Sequence, residues 1–189
     1  NFFPFDEVCS DLPKLYLMFI PDLGLCSAYT QGMIRTIQAL VKEGDIVMSF
    51  GTQGYDVMKK KGVPIINEVC SSEHISLTET VKELNRYLDT HRLIAIVPEY
   101  GGSIELEFNQ HELHTKIKEA RNEVIYDPSF ELTSMMLVKQ ALNSLVRYSF
   151  LVSKVSEHTS RRNAMETAPD SEQEMLVDLQ LKYNQARQE

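Results

Sequence analysis

The sequence predicts an α/β fold: a mostly parallel sheet flanked by helices, followed by one long C-terminal helix. Three observations predict it. Short apolar runs recur through the first half of the chain and alternate with stretches whose apolar residues follow helical spacing. A strand–helix–strand–helix–strand order favours parallel pairing, because each crossover helix packs back onto the sheet. From Asp127 onward there is no glycine, and the apolar residues keep helical spacing. The expected division is therefore an α/β body over residues 1–126 and a helical arm over residues 127–189.

The elements follow in order. Lys14 to Pro21, "KLYLMFIP", lies between prolines and is apolar on successive residues, as a strand buried on both faces requires. Met33, Ile34, Ile37, Leu40 and Val41 form one face of an amphipathic helix closed by Gly44. Asp45 to Phe50, "DIVMSF", is a second strand, and "GTQGYDVMKKKG" holds a short helix between glycines. Val63 to Ile66, "VPII", reads as a third strand, and its Pro64 places it at an edge or a strand start. Ser76-Leu77-Thr78-Glu79 is a capping-box pattern, and Leu77, Val81, Leu84 and Leu88 carry that helix to about Thr90. Arg92 to Tyr100, "RLIAIVPEY", is the clearest strand, and Ser103 to Phe108, "SIELEF", alternates as one more strand or an edge ribbon. Residues 109–125 are polar and weakly patterned. The residues expected in the strand core are Leu15, Leu17, Phe19, Ile46, Val47, Ile94 and Ile96.

Asp127 can cap the arm, with Pro128 suited to a first helical position. Leu132, Met135, Met136, Val138, Leu142, Leu145, Val146, Val152 and Val155 then keep helical spacing. At ~1.5 Å per residue, Ser129 to Glu166 alone would span about 57 Å, which outruns a body of this size. Pro169 removes one helix hydrogen bond and predicts a kink near residues 167–170. Ser171-Glu172-Gln173-Glu174 then offers a fresh capping box, and Met175, Leu176, Leu179 and Tyr183 resume the stripe. A projecting apolar stripe needs another helix or another protein to cover it.

Composition removes several function classes. A net charge of −8 disfavours nucleic-acid phosphates, and the short basic clusters Lys59-Lys60-Lys61 and Arg161-Arg162 read as solvated faces. No run reaches the roughly 18 apolar residues of a membrane span. Asn1 to Glu7 lacks the basic start and apolar stretch of a signal peptide, and the chain opens without an initiator methionine, as an excised stretch would. Cys9, Cys26 and Cys70 are odd in number and irregularly spaced, which predicts free thiols rather than a disulfide frame.

Strong chemical motifs are missing. "PDLGLCS", Pro21 to Ser27, follows the first strand but has neither GxGxxG nor Gly-Lys-Ser/Thr, and reads as a tight turn. "GTQG", Gly51 to Gly54, reads the same way. His111-Glu112-Leu113-His114 lacks the i, i+4 histidine spacing of a zinc helix. Cys26 has no sequence-fixed base, and Glu99 and Glu105 are common loop carboxylates. No catalytic residue, metal ligand or cofactor is expected.

Four stretches carry a resemblance. Leu15 to Thr30, "LYLMFIPDLGLCSAYT", holds an Asp-x-Gly-Leu-Cys turn at Asp22, Gly24, Leu25 and Cys26. "IYDPS" runs from Ile125 to Ser129. Ser156, Glu157, Arg161, Ala164 and Met165 fit a Ser-Glu-x-x-x-Arg-Met-x-Ala-Met segment. "LQLKYNQARQ", Leu179 to Gln188, fits a Leu-x-Leu-x-Tyr-Asn-x-x-Arg-Gln run. In this order the chain resembles the gamma subunit of F-type ATP synthase, the rotating shaft of the F1 motor. Ser27, Thr30, Arg162 and Pro169 depart from the family pattern and mark a divergent or specialised member.

The resemblance implies a Rossmann-like body and a C-terminal helix that forms an antiparallel coiled coil with an N-terminal helix absent from these residues. It implies a non-catalytic central-stalk subunit that couples ATP synthesis or hydrolysis to rotation within an alpha/beta hexamer. Small epsilon-like stalk subunits and a membrane rotor ring are the other implied partners, with no nucleic acid and no direct membrane insertion. The implied location is the cytoplasmic or matrix/stromal side, peripheral to an energy-transducing membrane through the complex. Lys182, Asn184, Arg187 and Gln188 would face the hexamer along the shaft, and Arg147, Tyr148, Ser149 and Lys154 would meet the ring and small stalk subunits at the foot. The alternative is a small α/β nucleotide-binding domain or enzyme with a helical oligomerisation arm.

Overall fold

The computed structural model describes residues 12–101, 105–114, 125–127 and 129–187; over 169–178, 181–182 and 184–186 it describes backbone only. Cys9, Ser103, Ile104, Pro128 and Gln188 lie outside the described residues, as do the side chains of Met175 and Leu176.

The element order is β1 (Lys14–Phe19), α1 (Ser27–Leu40), β2 (Ile46–Phe50), α2 (Tyr55–Lys60), a 3-10 turn (Ser72–His74), α3 (Leu77–Asn85), β3 (Arg92–Tyr100), β4 (Leu106–Glu112) and α4 (Phe130–Ala186). The sheet order is β2-β1-β3-β4. β1 pairs in parallel with β2, Leu15 opposite Ile46, and with β3, Leu15 opposite Leu93. β4 runs antiparallel to β3 and closes that edge.

Both faces of the sheet are covered, which explains why β1 and β3 are apolar on successive residues. On one face Tyr16, Met18, Ile94 and Ile96 pack with Tyr29, Met33 and Ile37 of α1. On the other, Leu15, Leu17, Phe19, Leu93, Ala95 and Val97 pack with Leu84 of α3 and with Leu142 and Val146 of α4. Six of the seven expected core residues are buried, and Ile46 is half-buried at the start of β2.

Several local expectations shift. Val63–Ile66 makes a single bridge, Val47 to Ile65, rather than a strand, because Pro64 has no N–H to donate. Ser76 caps α3 through Glu79 N, but the helix ends at Asn85 and turns carry the chain to Thr90. β4 extends to Glu112, into a stretch with no strand pattern of its own. Arg92 holds it there, its guanidinium donating to both Glu112 oxygens at 2.7 and 2.9 Å. Ser129, not Asp127, caps α4: its Oγ accepts from Leu132 N at 3.3 Å. α4 runs as one helix of 57 residues, so Ser171 opens no new helix. Its length is about 86 Å at ~1.5 Å per residue.

Candidate functional site

In a sheet ordered β2-β1-β3-β4, the chain leaves β1 toward β2 and returns past it to β3. The crevice between the carboxyl ends of β1 and β3 is the topological switch point, where open α/β sheets bind ligands. Here α4 fills it. The helix crosses the sheet from Leu142 and Val146, both fully buried, to Ser149, Ser153, Ser156 and Ser160, also buried. Serines let the helix backbone approach the sheet closely. Ser156 Oγ donates to Pro98 O at 2.6 Å, beyond the last β1–β3 pair, Met18 with Ile96.

A polar cluster closes the crevice. Asp22, in the turn after β1, accepts from Thr52 N at 3.1 Å and from Ser72 N at 2.8 Å, and its Oδ2 also takes the Ser72 hydroxyl. Lys154 Nζ donates to Ser72 Oγ at 2.5 Å and to Glu157 Oε2 at 3.0 Å, and lies 3.9 Å from Asp22 Oδ2. Arg161 donates to Glu157 Oε1 at 2.8 Å and to Gly24 O at 3.3 Å. The Glu157 side chain is only 7% exposed, so its two cations compensate the desolvation of its charge. The hydrogen bond from Arg161 to Glu157 raises the arginine's pKa further.

The turn that supplies Asp22 and Gly24 is shaped for this contact. Leu25 takes a left-handed backbone, φ 64°, rare for a residue with a β-carbon. Cys26 tucks beneath it, its thiol donating to Leu23 O at 3.2 Å, and burial pushes the thiol pKa up. Cys26 is thus a buried structural thiol, and the stretch is a strand-to-helix turn.

A second anchor sits farther along β3. The Tyr148 hydroxyl donates to Glu99 Oε1 at 2.5 Å, Asn109 donates to Glu99 Oε2 at 2.8 Å, and His111 Nε2 lies 3.4 Å from Glu99 Oε1. These donors, Tyr148 first, hold the Glu99 carboxyl below the usual carboxylate range. The stability from this anchor is present above the unfolded value of ~4.3 and is lost as pH falls through the lower folded value. Tyr148→Phe is expected to cost about 0.5–1 kcal/mol at pH 7, discounted for exposure, and less near pH 3. Urea melts at both pH values check this, and a pH-independent loss would remove Glu99 from the account. His111 and Glu112 lie on β4, so the His-Glu-Leu-His stretch presents no helical zinc face.

The residues expected at the foot separate. Arg147 is exposed, its Nε donating to Asn143 Oδ1 at 3.1 Å, and Tyr148 is 41% exposed. Ser149 is fully buried and donates to Leu145 O at 2.7 Å, and Lys154 turns into the cluster. On the shaft, Arg187 is exposed; Lys182 and Asn184 lie on α4, their side chains outside the description, as is Gln188. Periodicity and motif spacing assign no contact to Asp22, Ser72, Ser156, Glu157 or Arg161; all but Ser72 lie in the matched stretches, and that is the signal the sequence carries for them.

The family model described as ATP synthase matches residues 5–189. The chain is 28% identical over 193 residues to the ATP synthase gamma chain of Mycoplasmopsis synoviae (strain 53), covering 92% of this chain and 67% of that protein. Its fold is similar to a chain in the rotor of the Euglena gracilis mitochondrial ATP synthase, with a TM-score of 0.68, 13% identity, and coverage of 97% of this chain and 79% of that one. A chain from the central stalk and c-ring of the Tetrahymena thermophila mitochondrial ATP synthase gives 0.63 at 17% identity, covering 86% and 80%. The family match spans the sheet, the crevice and the long helix together, and this chain belongs to the ATP synthase gamma-chain family.

Proposed function

We infer that this chain is the central-stalk subunit of an F1-type ATPase, a rotor that links ATP turnover in a surrounding hexamer to rotation. The observation that carries the reading is α4. It leaves the body after Ser160, the last buried residue among its described side chains, and continues to Ala186 with Leu179 and Tyr183 63% and 67% exposed. That exposed pair fits a partner helix or a surrounding sleeve. The body, residues 1–126, and the arm, residues 127–189, act as foot and shaft, with any bend near 167–170 held in line by the partner helix.

Among the described residues the switch-point crevice is filled by serine, lysine and glutamate from α4, which supports a subunit without a catalytic group of its own. Alpha and beta subunits surround the shaft, where Lys182, Asn184, Arg187 and Gln188 slide past successive partners. At the foot, Arg147 and Tyr148 are the outward groups that meet small epsilon-like subunits and a membrane ring. Among the described residues no helix is long and apolar enough to cross a membrane. The rotor reading puts the chain at the periphery of the complex, on the cytoplasmic or matrix/stromal side.

Co-purification tests the reading. The tagged chain should capture a hexameric ATPase. Residues after about Glu166 should be cleaved by protease in the free chain and protected in the complex, because exposed helix frays. Equal protection in both states would mean the arm is covered without a hexamer, and the rotor reading would fail.

A further inference from the structure

We propose that Asp22, Ser72, Lys154, Glu157 and Arg161 form a torsional clamp that fixes the angle between the α/β body and the long helix. The mechanical role rests on the rotor reading; the geometry does not. The cluster draws on three separate segments: the turn after β1, which supplies Asp22 and the Gly24 carbonyl, the 3-10 turn, and two turns of α4. Its charges balance, two carboxylates against two cations, with side chains only 7–24% exposed.

Position gives the cluster its role. α4 is seated at one end by Leu142 and Val146, whose apolar contacts are non-directional and resist separation more than rolling about the helix axis. Ion pairs and hydrogen bonds are directional and fix the azimuth of the helix. They lie at residues 154–161, where burial ends among the described side chains of the helix. Beyond Arg161 the helix runs about 38 Å to Ala186 at ~1.5 Å per residue. A twisting load applied along that lever reaches the body first at its root, where the clamp sits. Lys154 is central, since its ammonium joins the Ser72 hydroxyl of the body to Glu157 of the helix.

The experiment places two probes through unnatural amino acids, at Lys60 on the body and Ala168 on the helix, both exposed. The distance distribution is measured in the full chain, free and assembled with the ATPase. Lys154→Met and Glu157→Gln are each expected to broaden it at least about two-fold, and Lys154→Arg to restore most of the original width. Unloaded ATP hydrolysis by the complex should stay within about two-fold of wild type, because no catalytic group is touched. An unchanged width in a folded Lys154→Met variant overturns the clamp. If Lys154→Met lowers the melting temperature enough to blur the result, Ser72→Ala decides, since it removes one bridge and leaves every charge in place. A wild-type chain that never assembles with a hexamer overturns the rotor reading instead, and the width in the free chain still decides the clamp.

Discussion

Phe19→Ala is expected to destabilise the chain by about 3–5 kcal/mol. Phe19 is 1% exposed at the end of the central strand β1. Its ring stacks on Phe50 of β2 at 5.6 Å and meets the edge of Phe150 of α4 at 5.5 Å. Removal opens a cavity where sheet and helix meet, and neither a strand nor a 57-residue helix can shift far to fill it. Against a total stability of ~5–15 kcal/mol for a domain, the loss is a large share. It should also loosen the seat of α4, so proteolysis between residues 142 and 160 should quicken along with the fall in stability. Chemical denaturation measures the first effect, and a loss below ~1 kcal/mol would take Phe19 out of the seam.

Gly51→Ala is expected to cost about 2–6 kcal/mol, the sum of backbone strain and overlap. Gly51 has φ 111°, where residues with a β-carbon are strained. An added Cβ would lie 2.0 Å from Ile20 O, a backbone atom, so no side-chain rotation relieves it. Ile20 is itself pinned, its N–H donating to Phe50 O at 2.7 Å. The next residue, Thr52, donates to Asp22, so the strain passes directly into the polar cluster. Gly24 provides the contrast: a Cβ there meets nothing within 4 Å, and Gly24→Ala should stay within ~0.5 kcal/mol. Thermal melts of both variants check the pair, and equal losses would show that the overlap at Gly51 is absorbed elsewhere.

The sequence by itself determined the parallel core and the projecting helix. β1 and β3 are legible because both faces are covered, which demands consecutive apolar residues, and β3 spans the expected Arg92–Tyr100. The arm is legible because no glycine interrupts it, and the four ordered stretches pointed to the family the chain belongs to. Only the tertiary structure decided which face of the arm is buried. Hydrophobic periodicity selected Met135, Met136 and Val155, yet these are exposed, while Ser149, Ser153, Ser156 and Ser160 are buried. A long helix offers several usable stripes, and close approach to a flat sheet selects small side chains that no apolar pattern marks. The resemblance assigns Lys154 to the foot, whereas the structure turns it into the cluster. Its partner Ser72 is 82 positions away, and the Gly24 carbonyl is 137 from Arg161. Hydrogen bonds between such distant positions leave no periodic trace, because they depend on where the crevice falls once β1, β3 and α4 have packed.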